Sequence, residues 1–356
     1  MPQTTTENDT ALRLMETVLR EGRPLAAEYP LVFEKGARGR IETVEVDGTI
    51  ASTCAWLART LIAPGANLPI ALVGSVATSS EHRGRGLGTL TLEKATAAAA
   101  AEGAALMLLW ADDPTWYQER GWVPFGSENV FVVEQENAFL LPEPDGVRPI
   151  EAKDRVAVHE LYCKHLSRAD RTLEDTITML GVPNMTTLVR EHEGEIVGYA
   201  CVGRGEDLGG VVHEWGGDPE GVLPIVGQFW NDLDDEAGRL FMMIPDTETD
   251  FLAYFKFVRA AGAKGILAMA KLANAEAAAQ VISTATPDDV TARATGDDTI
   301  DVTGPSGTIR LTGHEILLAL CPPRGDRRVT DVVESEIGVA LPDLPLQPFV
   351  WGLDSI

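Results

Sequence analysis

The sequence predicts a mixed α/β (α+β) chain of more than one domain. Three observations carry that expectation. First, an apolar run, Ile70 to Thr78, leads through Arg83-Gly84-Arg85-Gly86-Leu87-Gly88 into an alanine-rich run, Thr89 to Ala101. A strand, a glycine loop and a helix therefore succeed one another. Second, 356 residues exceed what one ordinary core organises and suit two or three domains. Third, the order partly repeats. Asp47-Gly48-Thr49-Ile50 and Glu193-Gly194-Glu195-Ile196 each turn into a strand that contains a cysteine, Cys54 and Cys201.

From the N-terminus, Leu12, Leu14, Met15, Val18 and Leu19 give residues 12–22 an amphipathic helical pattern. Thr43–Asp47 and Ile50–Leu61 make a hairpin about Asp47-Gly48. After strand 70–78 and its loop come helix 89–102, a buried strand over 104–110, a short helix over 114–120 behind the breaker Asp112-Asp113-Pro114, and a strand at Val130–Val133. Leu141-Pro142-Glu143-Pro144-Asp145-Gly146 is a linker by composition. Beyond it, Val156–Leu166 reads as a helix, Thr187–Glu191 and Ile196–Val202 as a hairpin, and Gly210–Trp215 as the counterpart of strand 70–78. The next residues, Gly216-Gly217-Asp218-Pro219-Glu220-Gly221, are acidic and without arginine, so residues 146–270 read as a second copy of the fold that has lost its loop. The final segment, 271–356, holds a helix at Ala273–Thr284, strands at Val290–Ala294, Thr299–Thr303 and Thr308–Leu311, and a helix opened by Thr312 with Glu315 as a capping box.

The loop itself suggests an anion. The first N–H groups of a helix lack internal partners and carry partial positive charge, and glycines let a ligand approach them. A Walker loop would end in Gly-Lys-Ser or Gly-Lys-Thr, whereas this one ends in Gly88-Thr89-Leu90. A dinucleotide fingerprint needs glycine or alanine where Thr89 stands and a turn directly off the strand.

Net charge is −25, from 54 acidic against 29 basic residues, which argues against a nucleic-acid partner. The same charge is compatible with a cationic amine substrate, with a saline habitat or with a general solubility device. Within it, Arg83, Arg85 and Lys94 against Glu81 and Glu93 form a positive island. The four cysteines are far apart and show no pairing motif, which suits a reducing cytoplasm, and the six histidines show no metal spacing. No run of eighteen apolar residues is present, and Met1–Thr10 lacks the pattern of a secretory signal, so no membrane segment is expected.

The spacing Arg-x-x-Gly-x-Gly after a strand resembles the pyrophosphate loop of the GNAT superfamily of acyl-CoA N-acyltransferases. Downstream, Trp116-Tyr117-Gln118-Glu119-Arg120-Gly121-Trp122 resembles the stretch in which that family carries a tyrosine, three residues, glycine and an aromatic after its fifth strand. A GNAT domain (1–140), a degenerate GNAT-like domain (146–270) and a sterol-carrier-like module (271–356) together resemble the enhanced intracellular survival (Eis-like) acetyltransferases. The resemblance implies an enzyme, an N-acetyltransferase that uses acetyl-CoA as cosubstrate and no metal. Main chain at Val76, Ala77 and Thr78 would meet the pantetheine arm and thioester. Gly84, Arg85, Gly86, Leu87, Gly88 and Thr89 would hold the pyrophosphate, with Arg83 against the cofactor phosphates. Tyr117 would be the general acid for the departing thiolate, since a phenol of pKa ~10 stays protonated at neutral pH beside a thiol of ~8.5. Two departures stand out: Gly84 replaces a basic residue of the family pattern, and Asp112 replaces a Ser or Asn.

An amine of pKa ~10.4 is only about 0.04% free at neutral pH, so a base is required. Family members place the C-terminal carboxylate in the active site. Here Ile356 (its carboxylate), Asp354 and a water relay are the candidates. The implied acceptor is a small polyamine, an aminoglycoside-like molecule or a lysine amine, and the chain is compatible with a homo-oligomer. The alternative is a non-catalytic acyl-CoA sensor or scaffold whose tail binds an apolar ligand.

Overall fold

The computed structural model describes residues 5–111, 113–233 and 238–356; Asp112 lies outside the described residues. The chain forms two compact units. One comprises Met1–Gly126, Ala268–Leu346 and Ile356, the other Ser127–Leu267 and Gln347–Ser355.

In the first unit, α1 (Thr5–Leu19) buries Ala11 and Met15 on one face. A one-turn helix, α2 (Pro30–Phe33), comes next. Strands β1 (Arg40–Val46) and β2 (Thr49–Ala63) form the expected hairpin. Its two turn residues, Asp47 and Gly48, have φ of 52° and 75°, the left-handed pair that a two-residue hairpin requires. β3 (Ala66–Thr78) begins earlier than the apolar run suggests, because Pro64-Gly65 turns the chain straight back from β2. Next come α3 (Leu87–Ala101), β4 (Leu106–Leu109), α4 (Pro114–Gln118) and β5 (Val123–Phe125). The strands run in the order β1-β2-β3-β4, then Ala268–Leu272, then β5. Pattern alone does not reveal Ala268–Leu272. It straddles the expected boundary at 270 and becomes a strand by filling the slot between β4 and β5.

Two irregularities open this sheet. β3 and β4 are parallel but pair only at Ile70↔Leu106, Ala71↔Met107 and Leu72↔Leu108. β3 then continues to Thr78 along β2, so β3 and β4 part beyond Leu72. In that stretch β3 bulges: Thr53↔Ala77 and Ala55↔Gly74 are registered pairs, so Ser75 and Val76 together face Cys54. Ser75 takes a φ of 53°. A bulge leaves one residue out of the ladder and re-aims its main-chain groups.

Residues 291–312 form a three-stranded antiparallel sheet, flanked in sequence by helices Ala275–Thr284, Gly313–Leu320 and Arg328–Ile337. Thr312 N–H donates to the Glu315 carboxylate at 2.9 Å, as the capping box predicts.

The second unit repeats the plan. Its sheet runs Ala261–Gly265, Glu128–Val133, Leu240–Ile244, Asp207–Gly217, Glu195–Arg204, Thr186–His192, Val147–Pro149. Asp207–Gly217 and Leu240–Ile244 are parallel, with helix Pro219–Asn231 between them, and only Val211↔Phe241 and Val212↔Met242 are registered. The strand expected at Val130–Val133 pairs here, and Phe131 stacks on Phe255 at 5.2 Å. A single residue, Asp218, separates the long strand from its helix, where residues 79–86 do so in the first unit. Its Oδ1 accepts from Gly221 N–H at 2.8 Å, so this helix caps its own N-terminus with a carboxylate. The missing loop that the sequence indicates is thus a shortened connection with the anion built in.

Candidate active site

Beyond β3, Ser80–His82 makes a single turn and the chain enters α3 through Arg83–Gly86, all exposed. Gly84 and Gly86 have φ of 73° and 76°, which a β-carbon would strain. Gly86 is the N-cap residue and has no side chain to offer as a cap. Leu90 N–H donates back to Gly86 O at 3.1 Å, the bond that starts the helical ladder. The N–H groups of Leu87, Gly88 and Thr89 precede that ladder and belong to its positive end. Arg83 and Arg85 come just before them in the chain. Lys94 does not: its Nζ donates to Thr43 O of β1 at 2.9 Å, two turns away. The positive island at the loop is therefore smaller than the sequence suggests.

The loop is tied to the strands by hydroxyls that the sequence pattern does not mark. Thr91 of α3 donates to Ser52 Oγ at 2.9 Å, and Ser52 Oγ lies 2.9 Å from Thr78 Oγ1. A β-carbon on Gly88 would stand 3.4 Å from Thr78 Oγ1 and 3.7 Å from the Trp116 ring. The end of β3, the first turn of α3 and α4 therefore converge at Gly88.

α4 brings in the second signature. Pro114 opens it, and Asp113 accepts from Thr115 N–H at 3.0 Å as its cap. Tyr117 is half-buried, edge-on to Trp116 and Trp122 with centroids 4.8 and 6.0 Å away. Trp116 lies against Gly88, and Arg120 Nε donates to Thr89 Oγ1 at 2.9 Å. Loop and tyrosine, far apart in sequence, are joined through these two side chains. Motif reading passes over both of them. The available signal is their i,i+4 spacing, which puts both on one face of a helical turn.

Ile356 closes the first unit. It packs with Ala77, Ala55, Leu57 and Met15, and a β-carbon on Gly74 would collide with its main-chain carbonyl. Gly74 is the residue before the bulge. Asp354 is differently placed. Buried in the second unit, it accepts from Arg171 Nη2 at 2.7 Å and from Tyr162 O–H at 2.8 Å. Arg171 also holds Glu214 through two bonds of 2.9 and 2.8 Å. A carboxylate committed to this network is an anchor. The neighbouring Gly352 rests on His213, which burial pushes down to about 4 and so keeps neutral.

The sequence model for the acetyltransferase (GNAT) domain matches residues 2–125. These residues are a GNAT acetyltransferase domain. No curated protein is similar enough in sequence to match the chain. Solved structures share the fold over nearly the whole length. A GCN5-related N-acetyltransferase from Kribbella flavida is 15% identical, with 100% of this chain and 99% of that chain covered and a TM-score of 0.66. One from Anabaena variabilis is 13% identical over 99% and 98%, with a TM-score of 0.68. Eis1 from Mycobacterium abscessus is 17% identical over 98% and 97%, with a TM-score of 0.63. The fold is therefore the tandem GNAT arrangement, and the GNAT domain is that of a transferase. The residues present fit an acyl-CoA: an uncapped helix start preceded by two arginines could hold phosphates, and the gap between β3 and β4 could admit an extended arm. Among the described residues no group of metal-ligating side chains gathers, and no helix is long and apolar enough to cross a membrane.

Proposed function

We propose that the protein transfers an acetyl group from acetyl-CoA to a primary amine by direct attack in a ternary complex. The observation that carries this reading is the convergence of the glycine loop, the bulged end of β3 and the tyrosine helix, through Gly88, Thr89, Trp116 and Arg120. When bound, an acyl-CoA supplies an activated acyl group as its thioester. Main chain at Val76, Ala77 and Thr78 orients the arm and the thioester oxygen, since the bulge frees main-chain donors there. Arg83 and the N–H groups of Gly84, Arg85, Gly86, Leu87, Gly88 and Thr89 hold the diphosphate. Tyr117 hands its phenolic proton to the departing sulfur, and the carboxylate at Ile356 takes the proton of the incoming amine. The acceptor is cationic before it reacts, a polyamine, aminoglycoside-like or lysine amine, and the −25 charge favours its approach. The segment 271–356 is read as a sterol-carrier-like module on its element order, and four free thiols suit a cytoplasmic setting. The non-catalytic reading has less support, because it leaves Tyr117 and the placement of Ile356 without a purpose.

Thiol release from acetyl-CoA over polyamines, aminoglycosides and lysine peptides tests the proposal. Release with at least one class is expected; tight acetyl-CoA binding with no release from any class would return the case to a sensor. Gly74→Ala tests the base. Its methyl group collides with Ile356, so turnover should fall roughly 10- to 100-fold, as displacement of about an ångström does, with acetyl-CoA affinity unchanged by calorimetry.

A further inference from the structure

We infer that Arg120 is a ligand of the cofactor's diphosphate, a third cation at the loop beside Arg83 and Arg85. The inference rests on the acyl-CoA reading above. The Arg120 guanidinium is pinned on three sides. Its carbon lies 4.0 Å from the Trp116 ring centroid, its Nε donates to Thr89 Oγ1 at 2.9 Å, and its Nη1 donates to Trp116 O at 2.5 Å. Glu119 contributes a longer contact of 3.5 Å from an exposed side chain. These bonds use Nε and Nη1 and leave Nη2 available among the described residues.

The position is electrostatically adverse until an anion arrives. Helix starts favour carboxylates and disfavour cations. In the second unit the equivalent helix start is closed by Asp218. Here the start of α3 has no capping side chain, and it is met by a guanidinium fixed to its third residue. Stacking on Trp116 and the bond to Thr89 settle the guanidinium's orientation before binding. Less entropy is then lost when a phosphate oxygen is engaged, and the planar fork suits that oxygen. Thr89 lies in the first turn, so the group served is the diphosphate that the same turn holds, not the cofactor's 3′-phosphate.

Calorimetry with coenzyme A and with 3′-dephospho-coenzyme A, on wild type, Arg120→Gln, Arg120→Lys and Trp116→Leu, tests this. Arg120→Gln should weaken both ligands equally, by about 10- to 100-fold, the range for a charge-assisted hydrogen bond. Arg120→Lys should recover only part of it, because a point charge keeps neither the stack nor the Thr89 bond. Trp116→Leu should show a loss in the same direction for both ligands. In Arg120→Gln the loss of coenzyme A affinity should far exceed any fall in acetyl transfer from the phosphate-free donor S-acetyl-N-acetylcysteamine, which separates phosphate binding from the anchoring of α4. Wild-type affinity in Arg120→Gln would overturn the assignment. So would a loss confined to coenzyme A, which would move Arg120 to the 3′-phosphate, or an equal loss with the phosphate-free donor. If wild type itself gives no heat with coenzyme A, the acyl-CoA reading falls first and this inference with it.

Discussion

Replacing Tyr117 by phenylalanine is expected to lower the rate of acetyl transfer about 10²- to 10⁴-fold, the usual contribution of a positioned proton donor. Acetyl-CoA affinity should stay within about twofold, because Trp116 against Gly88 and Arg120 on Thr89 still anchor α4 to the loop. The aromatic packing against Trp116 and Trp122 survives in phenylalanine. The split between turnover and binding is therefore the diagnostic. Steady-state thiol release and calorimetry on the same preparation measure both. Turnover within threefold of wild type would remove Tyr117 from the mechanism.

Arg171→Ala should destabilise the protein by roughly 3–5 kcal/mol, the range for breaking a fully buried ion pair by removing one partner. Arg171, Glu214 and Asp354 have fully buried side chains. Without the guanidinium, two carboxylates stay inside with no countercharge, and Tyr162 loses the cation on its ring face at 3.5 Å. The neighbouring Trp215 and Trp351 make the change visible by fluorescence in a urea titration. The triple variant Arg171→Leu, Glu214→Gln, Asp354→Asn should regain much of the lost stability, since it leaves no uncompensated charge. A single variant as stable as wild type would show the network to be dispensable.

What could be read from the sequence was what local chemistry determines. The glycines at 84 and 86 needed left-handed backbone, the alanine run needed a helix, and Pro114 marked the start of α4. The second copy lost its loop visibly, because acids and a proline replaced arginines. What escaped was set by neighbours distant in the chain. Ala268–Leu272 becomes a strand only because β4 and β5 leave it a place. The bulge at Ser75 arises from its register with Cys54, which no window of sequence displays. Lys94 looked like part of the anion site and turned out to serve β1. Asp354, named as a base candidate two residues from the chain's end, proved to be locked to Arg171, 183 positions earlier.

The interleaving of the units has a consequence for biosynthesis. β4 and β5 are bridged by Ala268–Leu272, a segment that emerges from the ribosome only after the second unit's sheet strands have been made. At ~5–20 residues per second, the amino-terminal sheet waits on the order of ten seconds with an open edge. Until Ala268–Leu272 fills the slot, the unpaired edges of β4 and β5 are templates for pairing with another chain.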